Sequence, residues 1–334
     1  MKKKEDGYMK KISTSNAILV IIVIFQFVFA KLLGILNLKL SMPVALSVSQ
    51  LTILVPFLGY CLLKKQNPLK VIRFKKTKPV SIFFAFLIAL ASYPVVIFLN
   101  MVSMLFVENA MTDVMPAVLE MGLLPGLCFM ALMPAFVEET IFRGMLYNTY
   151  SKYRPVAGII LSAVLFGLMH MNFNQMPYAI YLGIIMALVM EACDSIIAPM
   201  IIHFTMNASS SIMVFLSQGV LETAEGTQNT DLKSALMESY TMTMEQMGME
   251  LSQAQLEAMF PAFIAGMVLV FAIIALVAFA IVMILVYAVA SINGRPLKEV
   301  LRKKESETKT RMIDVWVILF VIYTLYECIM SVGL

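Results

Sequence analysis

Six residues carry chemistry that is out of place among their neighbours: Glu138, Glu139 and Arg143 in "FVEETIFRG", His170 closing "FGLMH", and His203 and Asn207 in "HFTMN". A carboxylate or guanidinium at the centre of a membrane-spanning helix costs about 2.5–3.5 kcal/mol on insertion scales, so such groups face a bundle interior or a wet cavity. Glu139 and Arg143 stand four residues apart with the acid N-terminal, the favoured order for a local ion pair. Glu138 points about 100° away from that face and needs other partners. The chain has two histidines, and both lie in apolar stretches. A single histidine there is most simply a satisfied core residue, whereas two beside an unpaired glutamate point to a shared site.

A carboxylate next to a neutral imidazole can hold and deprotonate a water, then pass the proton to a leaving amine. One turn apart on one helix face, His203 and Asn207 can donate hydrogen bonds to a carbonyl oxygen as it becomes an oxyanion. These residue types suit amide hydrolysis with no serine or cysteine nucleophile. Glu138, His170 and His203 also make a His₂Glu set with an open fourth position, so a bound Zn²⁺ is the alternative use of the same side chains; the H-E-x-x-H signature is absent.

The elements that must position these groups follow from composition. Of 334 residues, 60% are hydrophobic and 14% charged, where a soluble domain averages about 25% charged. This predicts an all-α polytopic membrane protein. Nine apolar runs, at about 14–34, 43–63, 79–107, 123–150, 155–172, 176–193, 195–217, 259–292 and 313–333, are candidates to cross a hydrocarbon core about 30 Å thick. Residues 1–13 are basic and lead into an apolar run with no small-residue cleavage site, which reads as a retained first helix. Cys61, Cys128, Cys193 and Cys328 lack metal-type spacing and read as buried small hydrophobes.

Of the 25 Lys and Arg residues, 21 fall before the first run or on alternate connections at 64–78, 152–154 and 295–311. The positive-inside rule then gives a cytoplasmic N-terminus and an external C-terminus. This distribution accounts for the net charge of +4 and points to the bilayer as partner, with no nucleic acid. The connection "EACDS" is the one cytoplasmic loop without a basic residue. The segment 218–258 is an acidic, Met-rich external insert, read as a solvated helical hairpin over the bundle. Residues 293–312 form a basic cytoplasmic linker, and 313–334 an extra C-terminal transmembrane helix.

Depth offers a test of convergence. At about 1.5 Å per residue, Glu138 lies roughly 20 Å from the cytoplasmic end of its run, His170 roughly 22 Å, Asn207 roughly 18 Å and His203 roughly 12 Å. All four can share one level once errors at helix ends are included.

In order and on three separate runs, "EETIFR", "FGLMH" and "HFTMN" resemble the E-E-x-x-x-R, F-x-x-x-H and H-x-x-x-N motifs of the CPBP intramembrane proteases, the Abi or type II CAAX prenyl endopeptidase family. The resemblance covers about residues 120–215. It implies an eight-helix core, here within 14–292, and an endopeptidase acting on a membrane-associated peptide or protein in a bacterial-type cytoplasmic membrane. It further implies that Glu138 and His170 activate water, that His203 and Asn207 form the oxyanion hole, and that Glu139 and Arg143 support them. Asn172 and Gln175, in "HMNFNQ", then orient His170, although a solvated helix end explains them equally. Pro134, one turn before Glu138, opens the helix toward the cavity or is an ordinary membrane proline. The long insert and the ninth helix depart from the common pattern. Two other classes stay open: a non-catalytic bacteriocin-immunity or regulatory binding protein, and a proton-coupled transporter, which would show repeat symmetry.

Overall fold

The computed structural model describes residues 2–109, 115–223, 232–249, 251–303 and 311–332. Nine apolar helices organise them: α1 (Lys2–Ile35), α2 (Met42–Leu63), α3 (Pro79–Met104), α4 (Leu123–Tyr150), α5 (Pro155–Met169), α6 (Met176–Cys193), α7 (Ile197–Thr223), α8 (Gln253–Ile292) and α9 (Val315–Ser331). Seven are long and apolar enough to cross a membrane, while α5 and α9 are shorter. No strand occurs among the described residues. The molecule is therefore an all-α polytopic membrane protein.

Local chemistry sets several boundaries. Proline occupies the first turn of α2, α3, α5 and α6, where its missing N–H has no intrahelical partner to lose. Asp314 starts α9 by accepting from the backbone N–H groups of Trp316 and Val317. The basic N-terminus is helical and runs straight into α1.

The motif-bearing helices α4 and α7 are, with α6, the most enclosed of the candidate spans. α4 packs against α1, α2, α5, α6 and α7, while α8 lies outside on α3 and α6. α9 packs on α1 and α5. A buried polar tie anchors it: Asn16 of α1 donates to the Met312 carbonyl at 3.0 Å and accepts from the Tyr150 hydroxyl at 2.5 Å.

The insert gains detail, and the expectation that all four cysteines are buried changes. The insert's described helix, Leu232–Gln246, packs on the outer extension of α8, where Tyr240, Leu256 and Phe260 form a small separate core. It is this apolar cluster that holds the pair together; residues 224–231 and 250 lie outside the described residues. Cys128 is exposed rather than buried, because it falls on the outer face of α4, and an apolar thiol there is stable against lipid.

The acidic "EACDS" connection is neutralised in space. Arg73 donates to Glu191 at 2.9 Å, Asn148 at 2.6 Å and Ser151 at 2.9 Å. Arg295 lies 3.6 Å from Glu191, and Lys75 pairs with Asp194. Basic residues of the neighbouring connections thus supply the charge this loop lacks.

Candidate active site

α4 is not a uniform helix. Two π-helical stretches, Leu127–Leu132 and Thr140–Tyr147, flank the α-helical segment Met133–Glu139 that ends on the two glutamates. Proline explains the first. Pro134 has no N–H for the Met130 carbonyl four residues back, the Met133 N–H reaches back five residues to Cys128, and Asn207 of α7 donates to Met130 at 3.1 Å. The second stretch affects depth: a π turn is wider than an α turn and advances less per residue. Glu138 therefore sits nearer the basic end of α4 than a regular α-helical rise gives, and closer to the level of His203.

The three ionisable groups of α4 differ in environment. Glu139 and Arg143 have side chains 0% exposed and are joined at 2.8 Å, while the Glu138 side chain is 17% exposed. His203 bridges the two glutamates. Its Nδ1 is 2.9 Å from Glu139 Oε1, and its Nε2 is 3.9 Å from Glu138 Oε2. Glu139 is thus more than a local partner of Arg143, since the same oxygen holds both the guanidinium and the imidazole. With Nδ1–H donating to Glu139, Nε2 is the nitrogen turned to Glu138.

His170 is the C-cap of α5, one residue past Met169, and Met171 turns the chain in the left-handed region at φ +50°. Its Nδ1 bonds the Phe166 carbonyl at 2.9 Å, so neutral His170 carries its proton there and presents an Nε2 lone pair. Glu138, Arg143 and His203 all lie within electrostatic range of His170.

One ring holds these groups together. Phe166 packs edge-on against His170 and His203, with centroids 5.0 and 5.9 Å away, and the Arg143 guanidinium lies 4.1 Å from its centre. Gly183 provides room for that guanidinium: a Cβ there would stand 2.9 Å from Ala163 Cα and 3.1 Å from an Arg143 nitrogen.

Asn172 accepts from the backbone N–H groups of Asn174 and Gln175 at 2.8 and 3.1 Å, closing the turn into α6. The contact that orients His170 is the Phe166 carbonyl. Gln50 of α2, which is buried, escaped the sequence reading because a glutamine among polar neighbours carries no signal; its amide donates to Glu138 at 3.3 Å, and its Oε1 has no hydrogen-bond partner. Among the described residues, no group of three or more His, Cys, Asp or Glu side chains is placed to hold a metal ion. The arrangement of Glu138, His170 and His203 does not fit a three-ligand cradle, and the chemistry below runs through the side chains alone.

The structure is an all-α membrane bundle that carries a partly open glutamate, two histidines and an asparagine on α4, on α7 and at the end of α5. Residues 120–209 match the family model Rce1-like, described as type II CAAX prenyl endopeptidase Rce1-like. All three motifs fall within that match, which bears out the resemblance to the CPBP proteases and supports an intramembrane CAAX-type protease. No match to a curated protein or to a solved structure was found.

Proposed function

We propose that the protein is a glutamate-dependent intramembrane endopeptidase that hydrolyses a peptide bond in a membrane-associated protein or peptide. The observation that carries this reading is the contrast on α4: Glu138 is open while its neighbours Glu139 and Arg143 are sealed. A structural ion pair has no use for an accessible second carboxylate costing a few kcal/mol at that depth.

In the proposed reaction a water sits between Glu138 and His170 Nε2. Glu138 takes a proton as the water oxygen attacks the scissile carbonyl carbon. The oxyanion accepts from His203 Nε2–H, with Glu139 as counter-charge when the imidazole is doubly protonated, and from the Asn207 N–H not used by Met130. Glu138 then returns the proton to the leaving amine as the C–N bond breaks. Positioned acid–base groups of this type contribute about 10²–10⁴ in rate. Phe166 and Gln50 are positioning residues. The basic connections face the cytoplasm in this reading.

A second reading, a non-catalytic immunity or regulatory protein, has one observation in its favour: His203 and Asn207 already make hydrogen bonds that tie α7 to α4. Comparing membrane and secreted peptides from a deletion strain complemented with wild-type, Glu138→Gln or His170→Ala protein separates the two. Cleavage products present only with wild type support the peptidase; a biological effect preserved in both variants supports the binding role.

A further inference from the structure

His170 stands at the end of α5, and helix ends fray. The Phe166 carbonyl fixes the rotation of its ring, but Phe166 belongs to the same last turn and moves with it. A hold from outside α5 is needed, and the turn after His170 supplies one. Asn174, 1% exposed, donates through its amide to Asn100 Oδ1 and to Ser103 Oγ, both at 2.9 Å. The Ser103 hydroxyl is in turn 3.2 Å from the Asn174 carbonyl. Asn100 and Ser103 lie in the last turn of α3. The Asn100 amide nitrogen is 3.3 Å from the Met104 sulfur, which leaves Oδ1 as the atom turned to Asn174. Helix α3 carries no motif residue, yet it reaches α7 as well: the Tyr93 hydroxyl donates to the Met206 carbonyl at 3.0 Å, next to Asn207.

We propose that Asn174 is a positioning residue that acts through His170: by tying the turn after α5 to α3, it fixes where the imidazole stands relative to Glu138. Asn174 and Ser103 are both buried, and polar side chains bonded across helices in an apolar bundle serve as ties of this kind. The effect of Asn174 on turnover rests on the peptidase reading, whereas its hold on the imidazole does not.

The test pairs a spectroscopic with a kinetic readout. Asn174→Leu keeps the side-chain volume and removes both donors; Asn16→Leu, which cuts the buried tie that anchors α9, is the control for a bond that is only structural. The chain has two histidines, so nitrogen NMR of isotopically labelled histidine in the full, detergent-purified protein reads both imidazoles, and His170→Ala assigns them. In neutral wild-type His170, Nδ1 should be protonated and Nε2 bare. In Asn174→Leu the two nitrogen shifts of His170 should move toward each other, because a ring no longer held to the Phe166 carbonyl exchanges tautomers, and those of His203 should stay. In the same variant kcat for the natural substrate should fall about tenfold or more with KM little changed. Ser103→Ala, a smaller change to the same tie, should shift the His170 signals in the same direction, and Asn16→Leu should change neither readout at equal folded fraction. His170 signals unmoved in both Asn174→Leu and Ser103→Ala, or moved as far by Asn16→Leu, overturn the proposal, as does a wild-type kcat in Asn174→Leu. If Glu138→Gln cleaves at the wild-type rate, the peptidase reading fails instead, and the histidine signals alone decide whether Asn174 holds His170.

Discussion

Glu139 holds both Arg143 and His203 through one oxygen, so its loss acts on two groups. Removing one partner of a buried pair leaves an uncompensated charge and costs about 3–5 kcal/mol. Arg143→Leu and Glu139→Gln should each lower the thermal midpoint of the purified protein; with Arg143→Leu turnover should fall with the folded fraction, whereas Glu139→Gln, which also takes the carboxylate from His203, should lower turnover per folded molecule as well. Phe166→Ala should act differently: with the ring gone, both histidines lose their shared packing surface, and a displacement of about 1 Å at reacting groups can cost about a hundredfold in rate. Cleavage kinetics at a temperature where the variant is still folded would check this. Gln50→Leu removes the hydrogen bond that orients Glu138 and should slow turnover at least tenfold, with little change in melting because the leucine also removes the unpartnered buried Oε1. At this scale the sequence made Glu138, His170, His203 and Asn207 legible because each is anomalous in an apolar run. Phe166 and Gln50 were not, since an aromatic in a core helix and a glutamine in a mixed helix look ordinary until their neighbours are known.

Helix α4 shows why spacing along a chain brings the right residues together yet misjudges their contacts. The i, i+4 rule found the Glu139–Arg143 pair, but the π-helical turns changed the depth of Glu138, and no periodicity encodes them. Pro134 is their visible cause on one side. Restoring an N–H with Pro134→Ala should let the Met130 carbonyl bond within α4 and free it from Asn207. The expected outcome is a protein at least as stable as wild type in thermal melts, with reduced cleavage because Asn207 loses its anchor. At the far end of "FVEETIFRG", a Cβ on Gly144 would stand 2.6 Å from Ile72 Cβ and 3.1 Å from Ile196. Gly144→Ala should therefore push the 64–78 connection off α4 and raise amide hydrogen exchange there.

For the whole molecule, the nine apolar runs were legible because length and hydropathy are properties of the chain itself. The pairing of Arg73, Lys75 and Arg295 with Glu191 and Asp194 was not, since it joins connections remote in sequence. That network gives a pH dependence. Burial disfavours the charged form of Asp194, but the hydrogen bond from Lys75 and the charges of Arg295, Arg73 and Lys75 together outweigh it, and the carboxyl is held below its ordinary value. A carboxyl shifted down on folding stabilises the fold fully above the ordinary Asp value of about 4, and loses that contribution as pH falls through the lower folded value. Wild type should melt above Asp194→Asn at neutral pH, and the difference should shrink toward zero as the pH is lowered below about 4. The central claim, that the one partly open glutamate beside a sealed Glu139–Arg143 pair performs hydrolysis, rests on Glu138. Its most direct test is the cleavage rate of the natural substrate by purified Glu138→Gln protein reconstituted in bilayers, with its melting midpoint measured alongside. The expected result is an unchanged midpoint and a rate lowered by about 10²–10⁴ or more; a folded Glu138→Gln protein that cleaves at the wild-type rate would contradict it.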